Sequence, residues 1–120
     1  MLLDYAGPHT FAPEAEKRGV QWVTAGAAIL HEEFHSEAFT RKGGELEMVQ
    51  LWVNLPAKDK MTAPGYQSIT QDFIPTVELP DNAGTVRINA GQYPQTTGPA
   101  HTFSPLNVWD MRLQQMHLVT

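Results

Sequence analysis

The chain has 120 residues, about the length of one ordinary domain, and 42% of them are hydrophobic, which is enough for a folded core. Its 13 acidic and 8 basic residues give a formal net charge of -5, so a surface that tracks nucleic-acid phosphates is disfavoured. The sequence contains no cysteine, which excludes disulfides, thiol catalysis and cysteine-bound zinc. These features predict a single folded domain over residues 1–120.

Neither a signal peptide nor a membrane span is predicted. The first residues lack the basic region and the long apolar run that a signal peptide requires. The longest mostly apolar run, residues 23–30, is far shorter than the roughly 20 residues that cross a bilayer. We therefore expect a cytoplasmic protein that enters no membrane and binds no nucleic acid directly.

Residues 1–43 give mixed signals. Glycines and prolines mark residues 1–20 as an irregular N-terminal arm, and residues 21–23 have the composition of a short strand. Local propensity then favours a helix that is capped by Thr24, continues to about residue 40 and stops at Gly43.

From residue 46 onward the pattern is that of short strands separated by turns. The strand candidates are residues 46–55, 73–79, 85–90 and 106–113. Pro75 makes the second of these an edge strand, and the third has an apolar face made of Val86, Ile88 and Ala90. A helical turn is expected over residues 67–71 and a loop over residues 91–99. Together these elements predict an all-β sandwich or barrel.

The dense cluster of chemically active side chains is His31-Glu32-Glu33-Phe34-His35. On a helix it matches H-E-x-x-H, in which both histidines bind zinc and Glu32 is the general base of a metalloprotease. In extended structure His31 and Glu33 instead share one side, like the His and carboxylate of an iron site, and His35 lies roughly 13 Å away. The residues alone leave both interpretations open, beside a plain surface role for each histidine.

Long blocks of the chain resemble the pirin family. Residues 21–34, Gln-Trp-Val-Thr-Ala-Gly-Ala-Ala-Ile-Leu-His-Glu-Glu-Phe, resemble the family's segment with the third and fourth metal ligands. The other similar blocks are residues 2–8, 49–56, 60–61, 66–67, 74–75 and 103–110. The resemblance covers nearly the whole chain, and it implies a turn leading into a metal-bearing strand, instead of a helix, over residues 24–40.

Pirins are bicupins, built from two jelly-roll β-barrels. The N-terminal barrel of the family binds one iron through a His-x-His pair, a further His and a Glu. Some members act as quercetin 2,3-dioxygenases, and others are nuclear transcription co-regulators. By matching position, the resemblance implies that His31 is the third metal ligand. It implies that Glu33 is the fourth ligand and the catalytic group that takes up the hydroxyl proton of a flavonol.

The chain departs from the family pattern in two places. The block with the His-x-His pair is absent, because Val20 joins directly to Gln21, and most of the second cupin is missing apart from its first strand, residues 106–113. We therefore expect a truncated cupin (RmlC-like jelly roll) barrel or sandwich in one domain. The missing strands would leave sheet edges exposed to solvent, and a second copy of the chain is the simplest way to cover them. We therefore expect a homodimer, with residues 106–119 as a segment that the two copies can exchange. Three tryptophans, Trp22, Trp52 and Trp109, are candidates for core packing or for that interface.

Two ligands hold a divalent metal poorly, so we expect Fe(II) to bind weakly or not at all. The function expected first is a non-catalytic binding or structural module with an incomplete metal site. The alternative is an Fe(II)-dependent quercetin 2,3-dioxygenase-like enzyme that acts on a flavonol. In that enzyme His9, His101 or a residue of the dimer mate would complete the site. A zinc metalloprotease that uses residues 31–35 is the third possibility.

Overall fold

The computed structural model describes residues 9–11, 19–45 and 48–114. Most of the regular structure in these ranges is short strands, with one α-helix, and the chain divides into two compact units, residues 1–71 and 72–120. None of the helices found in these ranges has the length and apolar character needed to cross a membrane.

The first unit contains two small sheets. Strand β2 (Val20–Thr24) pairs antiparallel with β4 (Gly65–Ile69), which confirms the strand predicted at residues 21–23. Strand β1 (His9–Phe11) pairs in parallel with β3 (Glu33–His35). The helical turn predicted over residues 67–71 is wrong, because most of these residues belong to β4.

The helix expected directly after Thr24 is also wrong. Gly26 has a positive φ of 51°, so the chain turns there instead of continuing into a helix. The Ala27 amide donates a hydrogen bond to the Thr62 carbonyl at 3.0 Å, and this long-range contact replaces the local helical bond. Tertiary pairing therefore overrides local propensity, as the family resemblance implied.

A shorter helix, α1 (Glu37–Lys42), follows β3. The Ser36 hydroxyl caps it by accepting a hydrogen bond from the Phe39 amide at 3.1 Å. Gly43 ends the helix with a φ of 68°, a conformation that glycine adopts without strain. The predicted stop at Gly43 is thus confirmed, although the helix begins well after the predicted start.

The second unit is built on a three-stranded antiparallel sheet in the order β5-β6-β9. Its strands are β5 (Thr76–Glu78), β6 (Gly84–Ala90) and β9 (Val108–Leu113). Two shorter strands, β7 (Gln92–Tyr93) and β8 (Thr96–Thr97), form a hairpin within the predicted 91–99 loop. The loop prediction missed this hairpin, which is closed by a hydrogen bond from the Gly98 amide to the Gly91 carbonyl.

Strand β6 supplies the core of the second unit. Val86, Ile88 and Ala90 are each 0% exposed, so the predicted buried face is confirmed. The predicted edge strand after Pro75 is confirmed as β5, and the strand predicted over residues 106–113 is confirmed as β9.

The strand predicted over residues 46–55 does not form in its described part. Residues 48–56 pair with no other strand of the described chain, and Trp52 is 90% exposed. Because a strand exists only where a neighbour completes its backbone hydrogen bonds, alternation by itself is insufficient. The prediction that Trp52 packs in the core is therefore wrong. Trp22 is half-buried, and Trp109 is 36% exposed.

Some predictions fall on residues outside the described ranges. Most of the N-terminal arm over residues 1–20 does so, as do residues 115–119 of the segment predicted to be exchanged. The part of that segment that is described, strand β9, pairs with β6 of its own chain.

Candidate functional site

His31 and Glu33 lie where the chain enters strand β3. His31 is exposed and precedes the strand by two residues, and Glu33 is the first residue of the strand. A zinc protease needs its H-E-x-x-H histidines one turn apart on a helix, and residues 31–35 are not helical. The structure therefore contradicts the metalloprotease alternative.

The parallel pairing of β1 with β3 brings a further histidine to this place. In the register of the two strands, His9 is the direct partner of Glu33, and Phe11 is the partner of His35. Of the histidines proposed from sequence to complete the site, His9 is therefore the one that the backbone register sets beside Glu33.

The other two described histidines make contacts with phenylalanine rings. The ring of His35 lies 5.4 Å from that of Phe39 in a tilted arrangement, next to the cap of α1. The ring of His101 belongs to the second unit and lies 4.9 Å from that of Phe103, edge to face. Both histidines are exposed, so these contacts give each ring a packing role at the surface of its own unit.

The side chains that the structure describes do not by themselves form a four-ligand iron site. Among the side chains that the structure describes, those of residues 19–32, 34–45 and 48–114, no three of the His, Asp and Glu types are grouped closely enough to hold a metal ion. Iron sites in proteins are built from at least three convergent ligands, such as two histidines and one carboxylate. The structure thus shows no assembled ligand set among these side chains.

The second unit contains a cleft. It has a volume of about 850 Å³ and is lined by residues of the β7–β8 hairpin and of the loop that leads to β9. Its polar lining includes Gln92, Ser104 and Asn107, and no charged residue or histidine contributes to it. The cleft therefore offers hydrogen-bonding groups but neither an acid nor a base for catalysis.

Comparison with known proteins gives a consistent result. No family model matches the chain. It is 45% identical to a Pseudomonas aeruginosa protein named "Putative quercetin 2,3-dioxygenase", over 95% of this chain and 52% of that protein. It is 36% identical to Pirin-1 of Arabidopsis thaliana, over 79% of this chain and 30% of that protein. A crystal structure of quercetin 2,3-dioxygenase from Acinetobacter baumannii is 55% identical, with a TM-score of 0.73, over 78% of this chain and 32% of that one.

The lengths of these alignments reveal a gap within the chain. The Pseudomonas alignment has 150 positions, but 95% of 120 residues is about 114, so about 36 positions hold no residue of this chain. The Pirin-1 alignment has 95 positions, and 79% of 120 residues is also about 95. This alignment therefore contains no comparable gap. A gap of this size in the Pseudomonas alignment agrees with the internal deletion expected from the sequence.

The chain spans about half the length of the Pseudomonas relative and about a third of the Acinetobacter structure. Over that part it has the all-β, cupin-like fold expected from its strands. In sequence and in structure, the chain is thus similar to pirin-like and quercetin 2,3-dioxygenase proteins.

Proposed function

We propose that the chain is a pirin-like binding or structural module whose metal site is incomplete, and that it works as a homodimer. The observation that carries this proposal is that no three metal-ligating side chains are grouped within residues 19–32, 34–45 and 48–114, whose side chains the structure describes. The sequence supports it further, because none of its five histidines forms a His-x-His pair. With His31 and Glu33 as the family-matched ligands that remain, affinity for Fe(II) falls below what a resident cofactor needs.

Metal analysis tests this proposal directly. The purified chain is titrated anaerobically with Fe(II), and bound iron is measured for the wild type, His31→Ala and Glu33→Ala. The matched controls are His101→Ala and Glu32→Ala, which alter exposed residues of the same types. We expect less than stoichiometric iron in every protein. Stoichiometric iron that is lost in the two site variants and kept in the two controls would contradict the proposal.

One observation favours a second candidate function, an Fe(II)-dependent quercetin 2,3-dioxygenase-like oxidoreductase. The register partner of Glu33 is His9, so His9, His31 and Glu33 together have the composition of a two-histidine, one-carboxylate set. In this function iron would supply the activation of dioxygen, and Glu33 would accept the hydroxyl proton of a flavonol. Quercetin consumption with added Fe(II), lost in His9→Ala and kept in His101→Ala, would establish it.

The homodimer is supported by unprotected apolar surface. Strand β9 lies at the edge of its sheet, and Trp109, Met111 and Leu113 on it are exposed by 36%, 47% and 68%. Exposed apolar edges are normally covered by another strand or by a partner. Sedimentation of the full chain at micromolar concentrations is expected to give a dimer mass, and a monomer mass at all concentrations would contradict this part.

A further inference from the structure

Strand β9 (Val108–Leu113) has one edge that no other described strand occupies. The sheet order is β5-β6-β9, so β6 covers one side of β9 and the opposite side is open within the described chain. The strand contains no proline to prevent pairing, and its two charged residues, Asp110 and Arg112, are opposite in sign. This edge is therefore suited to accept a further strand.

The register with β6 determines which backbone groups of β9 face the open edge. The Gln114 amide donates to the Ala83 carbonyl at 2.9 Å, so these opposite residues form a hydrogen-bonded pair. Hydrogen-bonded and non-hydrogen-bonded pairs alternate along an antiparallel ladder, so Arg112 and Asp110 also bond to β6. The residues whose N–H and C=O groups face the open edge are therefore Trp109, Met111 and Leu113.

We propose that β9 pairs antiparallel with β9 of a second copy, with Met111 opposite Met111 of the partner subunit. This arrangement joins two three-stranded sheets into one continuous sheet about a twofold axis. The outward-facing groups of both strands then form roughly six hydrogen bonds between the copies. The inference rests on the homodimer proposed above and assigns its surface.

Charge selects this register. Centred on Met111, the pairing places Asp110 of each copy opposite Arg112 of the other, in a non-hydrogen-bonded pair whose side chains lie close together. A shift of the centre to Asp110 would oppose two aspartates, and a shift to Arg112 would oppose two arginines. The Met111 register thus opposes unlike charges where the two neighbouring allowed registers oppose like ones.

The opposite face of the pairing is apolar. Trp109 of each copy lies opposite Leu113 of the other, and the two Met111 residues meet on the twofold axis. These side chains lie on the same face of the sheet as the apolar residues of β6, so the apolar face continues across the dimer. Asp110 already accepts a hydrogen bond from Arg87 at 3.0 Å, and its side chain is still 40% exposed. Its carboxylate can therefore also contact the guanidinium of Arg112 of the partner subunit.

Sedimentation equilibrium of the full chain and of four variants tests this surface. Met111→Lys places two like charges on the axis and is expected to give monomer, while Met61→Lys, at a 74% exposed methionine in the first unit, is the matched control. Arg112→Glu replaces two attractive pairs by two repulsive ones and is expected to raise the dissociation constant at least about tenfold. Arg112→Lys keeps the charge and is expected to behave like the wild type.

The outcomes separate this inference from the homodimer itself. A wild-type monomer at all concentrations overturns both. If the wild type is a dimer and both Met111→Lys and Arg112→Glu remain dimers, pairing through the β9 edge is overturned and the homodimer is not. Exchange of strand β9 between the copies would give that result. Circular dichroism of each variant shows whether a change in mass reflects association or unfolding.

Discussion

Arg87 on the central strand β6 and Asp110 on β9 face each other across the ladder, and their side chains are joined by an ion pair of 3.0 Å. The Arg87 side chain is only 6% exposed, whereas that of Asp110 is 40% exposed. A guanidinium buried in the middle of a sheet needs a partner, because burying an unpaired charge is costly. The pair therefore ties the register of β9 to the core of the second unit.

Removal of this partner should destabilise the fold. Asp110→Asn is expected to lower the free energy of unfolding by roughly 1–3 kcal/mol, since the buried Arg87 loses its ion pair with the carboxylate of Asp110. Urea unfolding measures the change, best in the Met111→Lys background so that association does not contribute. The control Asp72→Asn alters an exposed aspartate and is expected to have little effect. Equal losses in both variants would refute this role for Asp110.

Gly84, at the start of β6, is required by close backbone contact. Its φ is 141°, and a Cβ there would lie 2.0 Å from the Arg112 carbonyl oxygen. Gly84→Ala is thus expected to cost roughly 2 kcal/mol or more of unfolding free energy, through strain and a forced separation of β6 from β9. Gly65→Ala is the matched control, because nothing lies within 4 Å of a Cβ at that position. Thermal unfolding compares the two, and similar midpoints would count against the contact.

Ile88 and Trp52 are both large apolar residues of predicted strands, but they differ in burial. Ile88 is 0% exposed, so Ile88→Ala is expected to cost roughly 2–5 kcal/mol of unfolding free energy. Trp52 is 90% exposed, so Trp52→Ala is expected to change it by less than about 0.5 kcal/mol. Urea unfolding followed by circular dichroism checks both values. A large loss in Trp52→Ala would mean that residues 48–56 are packed in solution.

Helix α1 depends on its cap. Ser36→Ala removes the oxygen that accepts the Phe39 amide and is expected to destabilise the helix by about 1 kcal/mol. Amide hydrogen exchange at Phe39 and Thr40 should then accelerate, while exchange in β6 is unchanged. Ser68→Ala, at an exposed serine of β4, serves as the control and should leave exchange in α1 unaltered. Unchanged exchange at Phe39 in Ser36→Ala would show that the cap contributes little.

The candidate site was only partly predictable from the sequence. The resemblance to pirins identified His31 and Glu33 by position, and the missing His-x-His block is visible in the sequence itself. It left His9 and His101 as equal candidates for a further ligand. The parallel register of β1 on β3 places His9 beside Glu33, and such long-range pairing has no local signal in the chain.

Local periodicity determined the buried face of β6, because successive residues of a strand point to opposite sides wherever that strand forms. The same periodicity over residues 46–55 predicted a strand, which does not form in the described part, residues 48–55. What differs is the neighbour: β6 has β5 and β9 beside it, whereas residues 48–55 pair with no described strand. The sequence thus determines which faces are apolar, and only the tertiary structure decides which strands have partners, because backbone hydrogen bonds join segments distant in the chain.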